Sequence, residues 1–150
     1  MRIKRMCLVI LSLCLLVVTT GCNRTYDYSF AQSLDKVEKV EIRTYDDATQ
    51  SSMLVVTLNE TDGKALLSEV NALKCKRYFG DCPRSYGEVI IYITYLDQTA
   101  EVIGIDNVAQ VDKNGKWHIG IEHFDRQQLC TLILKYVDKD LLPDLSKYLD

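Results

Sequence analysis

The cysteines are the side chains with the widest chemical range in this 150-residue sequence. Cys75 and Cys82 enclose the stretch CKRYFGDC, whose C-x6-C spacing is wider than zinc sites use and lacks the C-x-x-C of redox sites. In an exported protein such a pair predicts a disulfide, which would stabilise the fold by about 2–3 kcal/mol, with free thiols as the alternative. Cys130 lies in the apolar stretch LCTLILKY and is predicted to be a small buried side chain.

The first 22 residues indicate where the protein is expected to act. Arg2, Lys4 and Arg5 form a basic start, and a thirteen-residue apolar run, 6–18, follows with Ser12 as its polar interruption. A bilayer-spanning helix needs about 20 apolar residues, so this run is short for a permanent span. A basic start, a short apolar core and a boundary of small residues predict a secretory signal.

The boundary after the apolar run, Val18-Thr19-Thr20-Gly21-Cys22, resembles the lipobox of bacterial lipoproteins. Thr20 and Gly21 match the small positions of that motif, whereas Thr19 stands where an aliphatic residue is usual. The resemblance implies that Cys22 receives a diacylglyceryl group and becomes the N-terminus of the mature chain. It also implies a lipid-anchored, extracytoplasmic protein at the cell membrane or the outer membrane. The alternative is an uncleaved anchor, or an ordinary signal that leaves Cys22 a free thiol.

This interpretation divides the chain into three segments. They are a lipoprotein signal peptide over 1–21, a lipidated N-terminus and tether over 22–35, and a single domain over 36–150. Segments near chain termini are commonly mobile, which favours the tether. Aromatic residues alternate over 26–30, so a short strand that pairs with the domain is the alternative.

The charge of the chain limits the classes of partner. Three basic residues lie in the signal, so residues 22–150 keep 15 of the 18 Lys and Arg against 21 Asp and Glu, a net charge of −6. The basic residues are scattered and form no stripe, which argues against nucleic acid as a partner. The same acidity argues against electrostatic docking on anionic lipid, so the N-terminal lipid is expected to hold the protein at the membrane.

Two histidines and several carboxylate pairs are the remaining candidates for catalysis or metal binding. His118 and His123 differ by an odd number, so on one strand they point to opposite faces, about 16 Å apart. Glu122 shares a face with His118 but lies about 13 Å along the strand, too far to share an ion. The sequence contains no phosphate-binding glycine loop and no nucleophile elbow. We therefore expect no metal site, no cofactor and no enzymatic activity.

The hydrophobic pattern predicts an α+β fold. Strands are predicted over 36–46 and 52–60, in the stretch GEVIIYITYLDQTAEVIGID, and in a hairpin around Asn114-Gly115. A helix capped by Thr61 is predicted over 61–73, and a second helix begins after the cap Asp125. Together these elements predict an antiparallel sheet of about five or six strands with two helices packed on one face and the other face partly open.

Tyrosine and arginine side chains predict an interaction surface, because both types are enriched where proteins bind proteins. One group surrounds the suspected disulfide, and it consists of Arg77, Tyr78, Phe79, Arg84 and Tyr86. A second group is placed on the less covered sheet face, and it includes Tyr92 and His118 with Thr94 and Glu122. The leading hypothesis is a non-enzymatic binding module for an envelope or secreted protein. The alternative is an inhibitor or immunity-type module whose wedge is Arg77, Tyr78 and Phe79.

Overall fold

The computed structural model describes residues 25–78 and 85–149, which form nine strands, two α-helices and three short 3-10 helices. The strands are β1 (Tyr26–Asp27), β2 (Val37–Asp46), β3 (Ser51–Thr57), β4 (Lys74–Arg77), β5 (Val89–Tyr95), β6 (Ala100–Gly104), β7 (Val108–Val111), β8 (Trp117–Ile119) and β9 (Glu122–Phe124). The helices are α1 (Glu60–Ala72) and α2 (Arg126–Ile133), and the 3-10 helices are Leu34–Lys36, Lys139–Leu141 and Pro143–Tyr148. The predicted signal peptide and Cys22 lie outside the described residues.

Six strands form one antiparallel sheet in the order β3-β2-β5-β6-β7-β8, which confirms the predicted α+β class. Strand β5 shows why the sequence folds this way, because its β-branched and aromatic residues suit a pleated surface. Ile91, Ile93 and Tyr95 alternate along it and are fully buried in the core that the helices cover. Ile90, on the other face of β5, is also fully buried.

Both helices pack on that core, and each begins at a capping side chain. Asn59, not the predicted Thr61, caps α1, because its side chain accepts a hydrogen bond from the backbone N–H of Asp62 at 2.9 Å. Asp125 caps α2 as predicted and accepts from the backbone N–H of Gln128 at 3.0 Å. The helix residues buried in the core are Leu66, Leu67 and Val70 from α1 and Leu129, Cys130, Leu132 and Ile133 from α2.

The face of the main sheet that points away from the helices carries a second apolar cluster at its centre but is partly open, as predicted, since Leu54 and Ile119 on it are exposed. The rings of Tyr45, Tyr86 and Trp117 pack against one another with centroid separations from 5.0 to 5.9 Å. Ile90 and Val102 belong to the same cluster and are fully buried. Each aromatic ring covers a wide area, which explains how the centre of a sheet face without helices is buried.

A second sheet, with the order β1-β4-β9, was not predicted from the sequence. Its register places Tyr26 opposite Cys75 and Cys75 opposite Phe124. Cys75 and Phe124 are buried in the same core as the two helices, so this small sheet is packed onto the domain.

The segment before β2 is held against the domain, so the predicted tether over 22–35 is wrong for the described part of that segment. The physical reason is Glu101 on β6, whose side chain is fully buried. Its carboxylate accepts hydrogen bonds from the phenols of Tyr28 and Tyr95 and from the backbone N–H of Ala31 at 2.9 Å. A buried carboxylate needs such donors, and the N-terminal segment supplies two of the three.

The predicted hairpin around Asn114-Gly115 is confirmed, but the strand after it is shorter than expected. Gly115 has a φ of 76°, and its backbone N–H donates to the carbonyl of Asp112 at 2.9 Å. The chain then leaves the main sheet at Gly120, whose N–H donates to the carbonyl of Val108 at 2.8 Å. A Cβ on Gly120 would lie 2.6 Å from Val108 Cγ2, so this corner requires glycine. Strand β9 follows the corner and joins the small sheet.

Candidate functional site

A cleft of about 360 Å³ lies between the small sheet and the β7–β8 edge of the main sheet. We call it the inter-sheet cleft, and it is lined by residues 26–29, 75, 77, 108–110, 118–120 and 122. Its volume is near the lower end of the range for small-molecule sites, about 300–1,000 Å³. The lining mixes charged, neutral polar and apolar side chains, so the cleft suits a small ligand with a polar group.

Arg77 is a positioned cation in the wall of this cleft. The β4–β9 register places it opposite Glu122, and its Nε donates to Glu122 Oε1 at 3.1 Å. Its guanidinium carbon lies 4.8 Å from the centroid of the Tyr26 ring, a cation–π contact. The Arg77 side chain is 47% exposed, and among the described residues none accepts a hydrogen bond from its two terminal nitrogens. Two contacts therefore orient the guanidinium while its terminal donors stay available.

His118 and Tyr92 were predicted to share the less covered face, and the structure corrects this. Along the ladder, His118 is opposite Gln110 and Gln110 is opposite Glu101. Tyr92 is opposite Val102, the next residue along β6. Directly opposite residues share a face and consecutive residues alternate, so His118 and Tyr92 lie on opposite faces of the sheet. His118 lines the inter-sheet cleft, whereas Tyr92 packs against the aromatic cluster.

His118 and Glu122 both line the cleft, although a continuous strand would hold them about 13 Å apart. The chain turns at Gly120, where β8 ends, so the spacing of a continuous strand does not apply between His118 and Glu122. His118 Nε2 lies 3.2 Å from Asp112 Oδ2, so its imidazole already has a carboxylate neighbour. Within residues 25–78 and 85–149, no group of three His, Cys, Asp or Glu side chains could hold a metal ion.

The predicted group around the 75–86 loop is only partly described. Tyr78 donates its hydroxyl hydrogen to the backbone carbonyl of Asp106 at 2.8 Å, and its ring stacks on His123 with centroids 4.2 Å apart. These contacts orient Tyr78 within the domain. Phe79 and Arg84 lie outside the described residues.

Tyr86 and Tyr92 differ in how much of each side chain a partner could reach. Tyr86 is 3% exposed inside the aromatic cluster, so its assignment to the interaction surface is wrong. Tyr92 is partly exposed, and the guanidinium carbon of Arg43 lies 4.2 Å from its ring centroid. Arg43 also donates to the buried Glu41 carboxylate, with its Nη2 at 2.6 Å. Tyr92 is therefore fixed by a charged network on the outer face.

The two cysteines in the described residues are buried thiols. Cys130 is fully buried as predicted, and burial raises the pKa of its thiol to about 11. Cys75 is 1% exposed, and its Sγ donates to the backbone carbonyl of Tyr26 at 3.5 Å. Burial also raises the pKa of the Cys75 thiol. Cys82 lies outside the described residues, so the Cys75–Cys82 disulfide stays a prediction.

The outer edge of β3 is a candidate site that the sequence interpretation missed. Strand β2 lies on one side of β3, and among the described residues no strand lies on the other. The seven residues of β3, SSMLVVT, carry no charge, and Met53 and Leu54 are 71% and 56% exposed. Edge strands usually carry charges or proline that discourage pairing, and β3 carries neither. An uncharged strand beside a turn was the sequence signal that could have identified it.

No family model, no curated protein and no solved structure matches this chain. Across residues 25–78 and 85–149, the helices lack the length and hydropathy that a membrane span requires.

Proposed function

We propose that this chain is an exported lipoprotein, anchored through Cys22 at the cell membrane or the outer membrane, that acts as a non-enzymatic binding module. Its partner is an envelope or secreted protein that contributes an extended strand along the outer edge of β3. The lipobox-like residues support the anchor. The uncharged, exposed edge of β3 is the observation that carries the binding mode.

Strand addition requires a row of unpaired backbone donors and acceptors beside exposed side chains. Among the described residues no strand pairs with the outer edge of β3. Consecutive residues alternate, so Met53 and Leu54 offer apolar contacts on the two faces of the sheet. Complete burial of one such side chain contributes about 1.5–3 kcal/mol. Asp46 and Asp47 are exposed beside the start of β3, which favours a partner strand with a basic residue at that end.

The inhibitor or immunity-type alternative has weaker support from the geometry. Arg77 is engaged with Glu122 and Tyr26, and Tyr78 is engaged with His123. A wedge that enters another protein's cleft would have to release these contacts. The alternative stays a hypothesis for a loop that includes Phe79.

Photo-crosslinking on intact cells tests the strand-addition proposal. A photoreactive amino acid at Met53 should form one major adduct with a partner protein. The substitution Leu54→Lys places a charge on the edge and should reduce that adduct on the order of tenfold. Because Leu54 is mostly exposed, the free energy of unfolding should change by only about 0.5 kcal/mol or less.

The matched control is Leu96→Lys. Leu96 is 59% exposed and lies in the turn after β5, away from the edge, so this variant should keep the adduct at wild-type intensity. Two results would contradict the proposal: no adduct at Met53 in the wild-type chain, or equal loss of the adduct in both lysine variants.

A further inference from the structure

We infer that the inter-sheet cleft faces the bilayer and binds the phosphate of a phospholipid headgroup, an inference that rests on the proposed anchor at Cys22. Residues 23–25 are the only ones between Cys22 and the start of β1 at Tyr26. Four residue steps extend at most about 14 Å. An acyl chain on Cys22 therefore keeps β1 within that distance of the acylated residue.

The first residues of the domain are held in the fold, so they cannot detach to lengthen the linker between Cys22 and the domain. Strand β1 is paired with β4, and Asp27 forms an ion pair with Lys74. Detaching Tyr28 would remove a hydrogen bond from the buried Glu101 carboxylate, which costs about 1–3 kcal/mol. The folded domain thus stays close to the bilayer instead of standing off on a flexible linker.

The position of β1 sets which side of the domain is near the membrane. Residues 26–29 line the inter-sheet cleft, so the cleft lies at the membrane-proximal side. Strand β3 is at the opposite edge of the main sheet from β8, five strand spacings away. At about 4.8 Å per spacing, β3 lies about 24 Å from β8 and remains accessible to a partner protein.

The terminal nitrogens of Arg77 are the cationic donors through which the cleft would bind an anion, beside the Glu122 carboxylate that its Nε already contacts. Asp27 and Glu122 are already bound to Lys74 and Arg77. The two terminal nitrogens of Arg77 have no acceptor among the described residues, and the neutral amide of Gln110 lies in the same lining. A guanidinium fork matches the oxygens of a phosphate in a bidentate arrangement.

The proposed lipid anchor on Cys22 would allow a headgroup site of weak affinity to be occupied. A chain held on the bilayer meets headgroups at a high effective concentration, so little intrinsic affinity is needed. Recognition in a cleft also differs from attraction between whole surfaces. Charges more than about 10 Å away are largely screened at physiological ionic strength, so the net charge of −6 for residues 22–150 opposes a phosphate beside Arg77 only weakly.

The test uses the acylated chain purified from its native membrane and placed in phospholipid nanodiscs, studied by NMR. A nitroxide on the lipid headgroup should broaden the amide signals of residues 26–29 and 118–120. It should leave the amides of 52–54 unbroadened. The Nε–H signal of Arg77 should also shift when phospholipid nanodiscs replace phosphate-free maltoside micelles.

Inorganic phosphate added to the maltoside micelles separates the two sources of phosphate. If it reproduces the Arg77 shift and the headgroup nitroxide leaves residues 26–29 unbroadened, the ligand is a soluble phosphate and the lipid assignment is overturned. If it does not, the phospholipid headgroup is supported. An Arg77 signal that is the same in nanodiscs and in micelles would show that the cleft binds no headgroup.

The outcomes also separate this inference from the proposed function. Broadening of 52–54 with no effect on 26–29, in a chain whose acylation is verified by mass, would overturn the orientation and leave the lipoprotein proposal intact. A chain that carries no acyl group would overturn the lipid anchor and the inference together. Loss of the Met53 adduct in the crosslinking experiment would concern the β3 edge and would not move either NMR readout.

Discussion

Glu101 is the residue that joins the N-terminal segment to the sheet. Its fully buried carboxylate is satisfied by the phenols of Tyr28 and Tyr95 and by the N–H of Ala31. Burial, and after it the charge of Glu101, raises the pKa of both phenols well above the ordinary value of 10.0. These hydroxyl groups therefore stay protonated in the folded protein at pH values where they ionise in the unfolded chain.

We expect Tyr28→Phe to act in two pH ranges. At neutral pH it removes one donor from a buried carboxylate, so the free energy of unfolding should fall by about 1–3 kcal/mol. Below pH 10 the raised pKa does not change the free energy of unfolding, since the phenol is protonated in both the folded and the unfolded protein. Above pH 10 only the unfolded chain ionises, so wild-type stability should fall by about 1.4 kcal/mol per pH unit for each such phenol. The free energy of unfolding of Tyr28→Phe should therefore decrease less steeply with pH than that of the wild-type chain.

Urea unfolding between pH 7 and pH 11 measures both effects (the upper limit is about one unit above the ordinary pKa of tyrosine). The control is Tyr92→Phe, which keeps a ring beneath Arg43 and should unfold close to the wild-type midpoint. Equal alkaline slopes for the wild-type chain and Tyr28→Phe would show that Tyr28 is not the phenol that Glu101 protects.

Sequence reasoning identified some residues of the site and not others. Arg77 and His118 were named from their types, and the structure places both in the inter-sheet cleft. Glu101 was not singled out, because an acidic side chain in a strand is rarely fully buried. Its burial depends on Tyr28, which lies 73 positions earlier in the chain, and a local pattern does not contain that contact.

The helix caps also show that a local sequence pattern can predict an element without identifying the residue that begins it. Asn59 and Thr61 are both good capping types, and they stand two residues apart. The sequence predicted the helix and its buried stripe but assigned the cap to Thr61. The structure places Thr61 in the first turn, where it is exposed, and gives the cap to Asn59.

We expect Asn59→Ala to lower the free energy of unfolding by about 1 kcal/mol, because the N–H of Asp62 loses its acceptor. Thr61→Ala should change it by about 0.5 kcal/mol or less, since Thr61 is exposed on the helix surface. Urea unfolding of both variants at neutral pH provides the comparison. The reverse order of the two losses would contradict the assigned cap.

The strand patterns predicted β2 and β5 well, because β-branched residues alternate along the core-facing side of each strand. It could not predict where β8 ends, since the alternation of residues 117–124 continues through the corner at Gly120. It also could not predict the small sheet. Strands β1, β4 and β9 are short and far apart in sequence, so their pairing is decided by tertiary packing.

At the scale of the whole molecule, the α+β class followed from local patterns, whereas the arrangement of the two candidate surfaces did not. The inter-sheet cleft lies beside β1 and β8, and the open edge of β3 lies across the main sheet. Under the proposed anchor, the first surface faces the bilayer and the second faces a partner protein. Which strand is left at an edge depends on the strand order, and the sequence does not state that order.

The most direct test of this account is the intact mass of the protein purified from its native membrane. We expect a mass equal to residues 22–150 plus an acylated glyceride on Cys22, because the lipobox-like residues place the cleavage before that cysteine. Cys22→Ser should release the protein from the membrane fraction and abolish the added mass. An unmodified chain of all 150 residues would contradict the lipid anchor, and the orientation argued from it would fall as well.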